Sequence, residues 1–94
     1  MTPEEINALV ANQRAYFNSG ATLDVEGRLR ALRTLRAAIV TYEDVIAAAL
    51  ERDLGKSATE SAMTETGMVK SALNHMLRHT ARYARTKHVR TPLA

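Results

Sequence analysis

The sequence contains no cysteine and no tryptophan, and it has only four glycines, two prolines, three tyrosines and one phenylalanine. Without cysteine, these residues can form no disulfide, no thiolate metal site and no cysteine nucleophile. So few glycines and prolines argue against long disordered linkers. No apolar run approaches the roughly 18 residues that a membrane-spanning helix needs, so we expect no membrane contact. Residues 2–5 are acidic and polar, unlike a signal peptide, and we therefore expect a cytoplasmic protein.

Acidic side chains are also missing from the last part of the chain. Residues 1–65 hold all ten acids and seven of the thirteen lysines and arginines, a net charge of −3. Residues 66–94 hold the other six basic residues and no acid, a net charge of +6. Such asymmetry is typical of nucleic-acid or membrane-surface binding, but it also suits a basic segment facing acidic surface in a larger protein. The basic end lacks interleaved aromatic residues beyond Tyr83, so we do not expect nucleic acid as the partner.

Apolar residues make up 46% of the chain and charged residues 24%, which suits one small globular unit. We therefore treat residues 1–94 as a single helical segment. The apolar residues recur at helical spacing in four stretches. They predict an all-α fold of four amphipathic helices over about residues 3–18, 24–40, 42–54 and 58–85, followed by an extended C-terminal tail.

Capping patterns predict where these helices begin and end. Thr2 precedes Glu5 by three residues, and Ser57 precedes Glu60 by three, so each pair forms a capping box at a helix start. Gly20 follows the first helix in a position that favours left-handed backbone.

The boundary between the second and third helices carries a weaker signal. Thr41 precedes Asp44 by three residues, which is again a capping pattern. The link is so short that the two helices form either an antiparallel hairpin or one bent rod. Gly67 lies inside the fourth stretch, where it can bend the helix.

Two short spacings are compatible with ligand sites, and in both cases we favour a structural interpretation. His75 and His79 are four residues apart, as zinc ligands on a helix can be, but no nearby cysteine or acid supplies a third ligand. We interpret them as solvated helix surface. Residues 53–57 end in Gly-Lys-Ser, like a phosphate loop, but the leading glycine of that motif is missing. We interpret them as a helix stop followed by a helix start, and we expect no cofactor or metal in this chain.

Arg28 is the charged residue that fits its surroundings least well. It lies near the middle of an apolar stripe that contains Val25 and Leu29, where a charge needs a partner. Asp53 lies near a helix C-terminus, where the helix dipole disfavours an acid. We therefore predict a structural ion pair between Arg28 and Asp53. The alternative is that Arg28 extends its guanidinium to solvent.

Four short motifs resemble the N-terminal helical segment of NAD(P)-dependent aldehyde dehydrogenases of the class-3-like branch, in the same order and at similar spacing. They are NQRAYFNSG at residues 12–20, DLGKS at 53–57, MTETGMV at 63–69 and VRTPL at 89–93. The resemblance implies a parent enzyme that oxidises an aldehyde to a carboxylic acid with NAD or NADP. It also implies that the chain is truncated before the cofactor-binding and catalytic parts. No catalytic, cofactor-binding or metal residue is then expected here, and the chain is a structural packing element.

The apolar stripes of the four helices indicate which kind of partner to expect. Helices that bury one face against each other leave apolar surface uncovered when a neighbouring domain is missing, and large apolar patches usually mark an interface. We expect either a homo-oligomer or contact with the remainder of the dehydrogenase. A free-standing α-helical interaction module and a basic helical nucleic-acid-binding domain remain the alternatives.

Overall fold

The computed structural model describes residues 1–93. Within this part of the chain there are helices and no strand, which confirms the all-α prediction. The first three helices lie within one residue of the predicted ranges. The elements are α1 (Pro3–Asn18), α2 (Val25–Thr41), α3 (Glu43–Leu54), α4 (Ala58–Ser61), a π-helical segment (Ala62–Thr66) and α5 (Gly67–Tyr83). None of the helices in this range is long and apolar enough to cross a membrane.

Both predicted capping boxes are formed. The Thr2 hydroxyl accepts a hydrogen bond from the Glu5 amide at 3.2 Å, and the Glu5 carboxylate accepts one from the Thr2 amide at 2.7 Å. Ser57 and Glu60 make the same reciprocal pair at the start of α4. These bonds satisfy amide groups that a helix start leaves without an internal partner. The capping patterns therefore predicted these two helix starts correctly.

The break between α2 and α3 is present, but no side chain caps it. One non-helical residue, Tyr42, separates the two helices. Its amide donates to the Ala38 carbonyl and its own carbonyl accepts from the Ile46 amide, each at 2.9 Å. Because the backbone hydrogen bonds run almost without interruption through the bend, a side-chain cap has little to satisfy. The predicted capping role of Thr41 is therefore wrong.

The fourth stretch differs from the single helix predicted over residues 58–85. It widens into the π-helical segment between α4 and α5, and α5 ends at Tyr83. The Gly67 amide donates to the Ala62 carbonyl five residues earlier, and a Cβ on Gly67 would overlap that oxygen. Glycine at this position therefore allows the wider turn. Residues 84–93 carry neither helix nor strand, and the extended geometry of the tail stays a prediction.

The helices bury little apolar surface against one another. α5 packs mainly against α2, and α3 against α4, while α1 has no buried residue. Leu73 is the only buried apolar residue among residues 1–93. The radius of gyration is 18.7 Å, whereas a compact chain of this length has about 12 Å. The chain is thus an open arrangement of amphipathic helices.

Candidate functional site

An apolar groove lies where α2, α3 and the last helical stretch meet. Its volume is about 170 Å³, below the usual range for small-molecule sites and enough for one or two apolar side chains. We call it the junction groove. It is lined by Ile39, Ile46, Leu50, Glu65, Thr66 and Val69. Its shape and apolar walls suit the side chains of another protein segment.

Helix α1 presents a second uncovered apolar surface. The residues of its apolar stripe recur at helical spacing, yet each is exposed by two-fifths or more. They are Ile6, Leu9, Val10 and Phe17. The apolar face of α1 is therefore left uncovered by the rest of the described chain.

A polar cluster joins α3 to α5 beside the junction groove. Lys70 Nζ lies 3.1 and 3.2 Å from the two carboxylate oxygens of Glu43, which is in the first turn of α3. The Thr66 hydroxyl lies 3.2 Å from Glu43 Oε1 and 3.3 Å from the Ser61 carbonyl, so its single proton serves one or the other. The cluster therefore holds the end of the π-helical segment against α3.

The cluster also changes the proton affinity of Glu43. The hydrogen bond from the Lys70 ammonium group lowers the pKa of the Glu43 carboxyl below its usual value. The positive charge of Lys70 and the Thr66 hydroxyl act in the same direction, and partial burial opposes them. About a third of each side chain of the pair is exposed, so solvent screens the attraction.

Ser61 is the most deeply buried side chain of the region, with 1% of its surface exposed. Its hydroxyl has no hydrogen-bond partner among residues 1–93. A buried hydroxyl without a partner destabilises the folded state by about 1–3 kcal/mol. The small side chain is therefore suited to the site by its volume and not by its hydroxyl.

The Gly-Lys-Ser segment has a structural role. Gly55 ends α3 with a left-handed backbone, φ 68°, and Ser57 caps α4. Lys56 Nζ pairs with the Glu65 carboxylate and bonds the Thr64 hydroxyl at 3.2 Å. The groups that hold phosphates in a phosphate loop are thus engaged in caps and an ion pair, and they do not fit a nucleotide. The helix-stop and helix-start interpretation is confirmed.

The structure does not bring Arg28 and Asp53 into an ion pair. Arg28 Nε donates to the Thr22 carbonyl in the loop before α2, and the residue is half-buried. Asp53 is exposed near the end of α3. The ion pairs of residues 1–93 join other partners, Asp24 to Arg30, Lys56 to Glu65 and Glu43 to Lys70. Arg28 finds a carbonyl six residues away, so it needs no acid from α3.

His75 and His79 lie on the surface of α5, one helical turn apart. Among the described residues, no three histidine, aspartate or glutamate side chains are grouped so that they could hold a metal ion. The His79 ring nevertheless stacks between the rings of His75 and Tyr83.

Sequence reasoning missed the contacts between distant residues. Glu43 and Lys70 are 27 residues apart, and the Arg36 Nε that donates to Asn74 Oδ1 at 2.7 Å is 38 residues from it. No local spacing indicates either pair. The one available signal was the position of Lys70 and Asn74 next to the apolar stripe of α5.

The chain is similar to aldehyde dehydrogenases over nearly its full length. It is 35% identical over 82 residues to the 4,4'-diaponeurosporen-aldehyde dehydrogenase of Staphylococcus aureus. The matched residues make up 87% of this chain and 18% of that protein. The matched relative is an aldehyde dehydrogenase, as the four motifs indicated. The predicted resemblance is therefore confirmed, and it extends to the segment as a whole.

Two further aldehyde dehydrogenases show the same similarity. The 4,4'-diapolycopene-4,4'-dial dehydrogenase of Cytobacillus firmus is 31% identical over 80 residues, 85% of this chain and 18% of that protein. The dimeric NADP-preferring aldehyde dehydrogenase of Canis lupus familiaris is 32% identical over 80 residues, which again make up 85% of this chain and 18% of that protein. The chain thus spans less than a fifth of the length of these relatives. No family model and no solved structure matches the chain.

Proposed function

We propose that this chain is the helical lead-in of an aldehyde dehydrogenase and that its uncovered apolar faces pack on the rest of that enzyme. The proposal rests on one observation above all. The chain exposes 7915 Å², whereas a compact protein of 10.4 kDa exposes about 5400 Å². The excess of about 2500 Å² exceeds the roughly 800 Å² that one partner contributes to a standard interface. So large a surface suits the inside of a larger protein.

The activity of the whole enzyme is part of the same proposal. The relatives are named as aldehyde dehydrogenases, and one is named NADP-preferring. We infer that the parent oxidises an aldehyde to the carboxylic acid, taking up water, passing a hydride to NAD⁺ or NADP⁺ and releasing a proton. The residues described here do not fit the dinucleotide, because the Gly-Lys-Ser segment is engaged in caps and an ion pair. Their contribution is structural support.

The names of two relatives suggest a substrate class. The Staphylococcus aureus and Cytobacillus firmus proteins are named for diaponeurosporen and diapolycopene aldehydes, which are long apolar polyenes. We propose a long-chain apolar aldehyde as the parent's substrate and the cytoplasm as its compartment. A panel of aldehydes of increasing chain length, assayed with the parent enzyme, tests the first. Fractionation of cells that make the parent enzyme tests the second.

A chimera tests the structural role. The segment of the Staphylococcus aureus relative that matches this chain is replaced by residues 1–94, and aldehyde-dependent formation of NADH or NADPH is measured. We expect a soluble, active enzyme. Ile46→Asp places a charge in the junction groove and should abolish soluble enzyme. Ala48→Asp, on an exposed position of the same helix, is the matched control and should leave activity within about twofold.

Two results would contradict the proposal. One is a chimera that is soluble and folded but inactive with aldehydes that the relative oxidises. The other is an Ile46→Asp chimera as active as its Ala48→Asp control, since the groove would then be facing solvent in the whole enzyme. Self-association of the chain is the other candidate supported by the exposed surface, because a second copy can also cover an apolar face.

A further inference from the structure

The apolar stripe of α1 and an apolar stripe on α5 have the same spacing. On α1, Val10 and Phe17 are seven residues apart, and the α5 stripe repeats at the same interval, with Val69, Met76 and Tyr83. Seven residues are about two helical turns, or about 10.5 Å along the axis, so each set lies on one face of its helix. Each of these residues is exposed by more than a third. The two stripes can therefore pack against each other along their length.

The α5 stripe begins at the junction groove, because Val69 belongs to both. A phenylalanine side chain suits this groove, since its volume of about 170 Å³ takes one or two apolar side chains. With Phe17 in the groove and the helices antiparallel, Val10 lies beside Met76. The first turn of α1 then lies beside Arg82. The common spacing thus determines the register of a contact between two helices that run in opposite directions.

Charges at the ends of the two helices favour this direction. The first turn of α1 carries Glu4 and Glu5, and the last turn of α5 carries Arg82. The Arg82 guanidinium lies over the Tyr83 ring, 5.4 Å from its centroid, and so reaches the end of the apolar stripe. The helix dipoles also attract each other, because the N-terminus of α1 meets the C-terminus of α5. Charge and apolar spacing therefore agree on one antiparallel arrangement.

α1 is attached at the wrong end of α2 to reach the junction groove of its own chain. Tyr16 lines a pocket together with Gly27, near the start of α2. Turns keep the connection short, since the Gly20 amide donates to the Phe17 carbonyl at 3.1 Å. The groove lies towards the other end of α2, at Ile39, about 21 Å along the helix from its first residue. Phe17 therefore does not reach the groove of its own chain.

Folding back within one chain would also run α1 in the unfavourable direction. Ile39 of α2 shares the junction groove with Val69 of α5. Arg36, earlier in α2, donates to Asn74, later in α5, so these two helices are antiparallel. An α1 that folded back along α2 would be parallel to α5, with its acidic first turn near Glu65 of the groove and far from the basic end of α5. A second copy allows the opposite direction.

We propose that α1 docks on a second copy of this chain, antiparallel to that copy's α5, with Phe17 in the junction groove and the acidic first turn beside Arg82. Exchange of the two α1 helices makes the contact twice, about a two-fold axis. A standard interface takes about 800 Å² from each partner, so each α1 and each groove face has to supply about 400 Å². An area of this order is exposed by the α1 stripe, Ile6, Leu9, Val10 and Phe17. Such a dimer is distinct from the packing role proposed above, because it concerns the chain without the rest of the enzyme.

Disulfide trapping tests the register and shows which chain provides α1, because the sequence has no cysteine of its own. Val10→Cys together with Met76→Cys should, on mild oxidation, give a product of two linked chains on a non-reducing gel. Val10→Cys together with Met68→Cys is the matched control, since Met68 is exposed on the same helix but lies about 12 Å along the axis from Met76. The control should give less than about a tenth of the linked product. A disulfide within one chain, or equal linking in the control, overturns the proposal.

Charge reversal tests the direction of the helices. Glu4→Lys should raise the dissociation constant of the dimer about fivefold in sedimentation measurements, and Arg82→Glu in the same chain should restore it to within about twofold. Glu26→Lys is the matched control, because it makes the same change of net charge in the first turn of α2, and it should leave the constant within about twofold. Far-UV circular dichroism checks that each variant keeps its helices.

The sedimentation results can also overturn the proposal. A chain that stays monomeric up to millimolar concentration would do so. A Glu4→Lys effect no larger than that of Glu26→Lys, or a double variant that Arg82→Glu does not restore, would do so as well. The chimera tests the packing role in a continuous enzyme, so the dimer and the packing role can fail separately.

Discussion

Lys70 donates to both carboxylate oxygens of Glu43 and so connects α5 to the first turn of α3, at 3.1 and 3.2 Å. The pair lowers the pKa of Glu43 in the folded chain. A group whose folded pKa is depressed contributes stability above its unfolded value, about 4.3, and loses it as the pH falls through the folded pKa. The contribution should therefore be complete at neutral pH and disappear in acid.

Glu43→Gln should remove this contribution and leave the shape of the side chain unchanged. We expect the variant to unfold at lower denaturant concentration than the unsubstituted chain at neutral pH, and the difference to shrink below about pH 4. Urea titrations over a series of pH values measure it. Asp44→Gln, an exposed neighbour in the same turn, is the control. A difference that grows in acid would contradict the assigned direction of the pKa shift.

Gly67→Ala should destabilise the chain, because the new Cβ would overlap the Ala62 carbonyl and the π-helical segment would have to rearrange. We expect a loss of about 1–3 kcal/mol in the free energy of unfolding. Gly27→Ala is the matched control. Its nearest new contact is the end of the Asp24 side chain at 3.2 Å, and alanine in a helix is favoured by up to about 1 kcal/mol over glycine. Equal effects of the two substitutions would show that the close approach at Gly67 is unimportant.

Arg28→Ala should lower the free energy of unfolding by about 1–2 kcal/mol, because it removes a charged donor from the Thr22 carbonyl. Asp53→Ala should change it by less than about 0.5 kcal/mol, since Asp53 is exposed. The change in the free energy of unfolding of the double variant should then equal the sum of the two single changes. A coupling energy above about 0.5 kcal/mol in this cycle would instead support the ion pair that the sequence suggested.

The isolated chain should self-associate when concentrated, because the apolar stripe of α1 and the junction groove both lack a partner. Light scattering across a dilution series should show a mass above one chain that falls on dilution. Phe17→Ser removes the most exposed large side chain of the α1 stripe. It should therefore raise the chain concentration at which self-association begins. A mass of one chain throughout, with sharp cooperative unfolding, would mean that the helices cover their own apolar faces.

Purified chain should bind neither NAD⁺ nor NADP⁺ and should reduce neither of them with any aldehyde. Lys56 and Ser57 are already engaged, and the sequence has no cysteine to attack an aldehyde. Calorimetry with each nucleotide measures this. The chimera with the Staphylococcus aureus relative is the positive control. Micromolar binding of NAD⁺ to the isolated chain would contradict the structural role.

The sequence alone determined the first three helices, both capping boxes and the resemblance to aldehyde dehydrogenases. These features depend on residues that are near one another in the chain. Apolar spacing of 3.6 residues marks a helix face, and a capping box needs only residues three apart, as at Thr2 and Ser57. The same local patterns carried the resemblance to aldehyde dehydrogenases, which the comparisons then confirmed.

Only the tertiary structure decided how distant polar residues are paired. Glu43 pairs with Lys70 across 27 residues, and Arg36 donates to Asn74 across 38. Such pairing depends on how α2, α3 and α5 are placed relative to one another, and no short sequence window contains that information. The π-helical segment is a similar case, because its extra residue per turn is accepted where Thr66 reaches Glu43 on another helix. Local propensity determines that a helix forms, whereas packing determines the turn it adopts and the partners it finds.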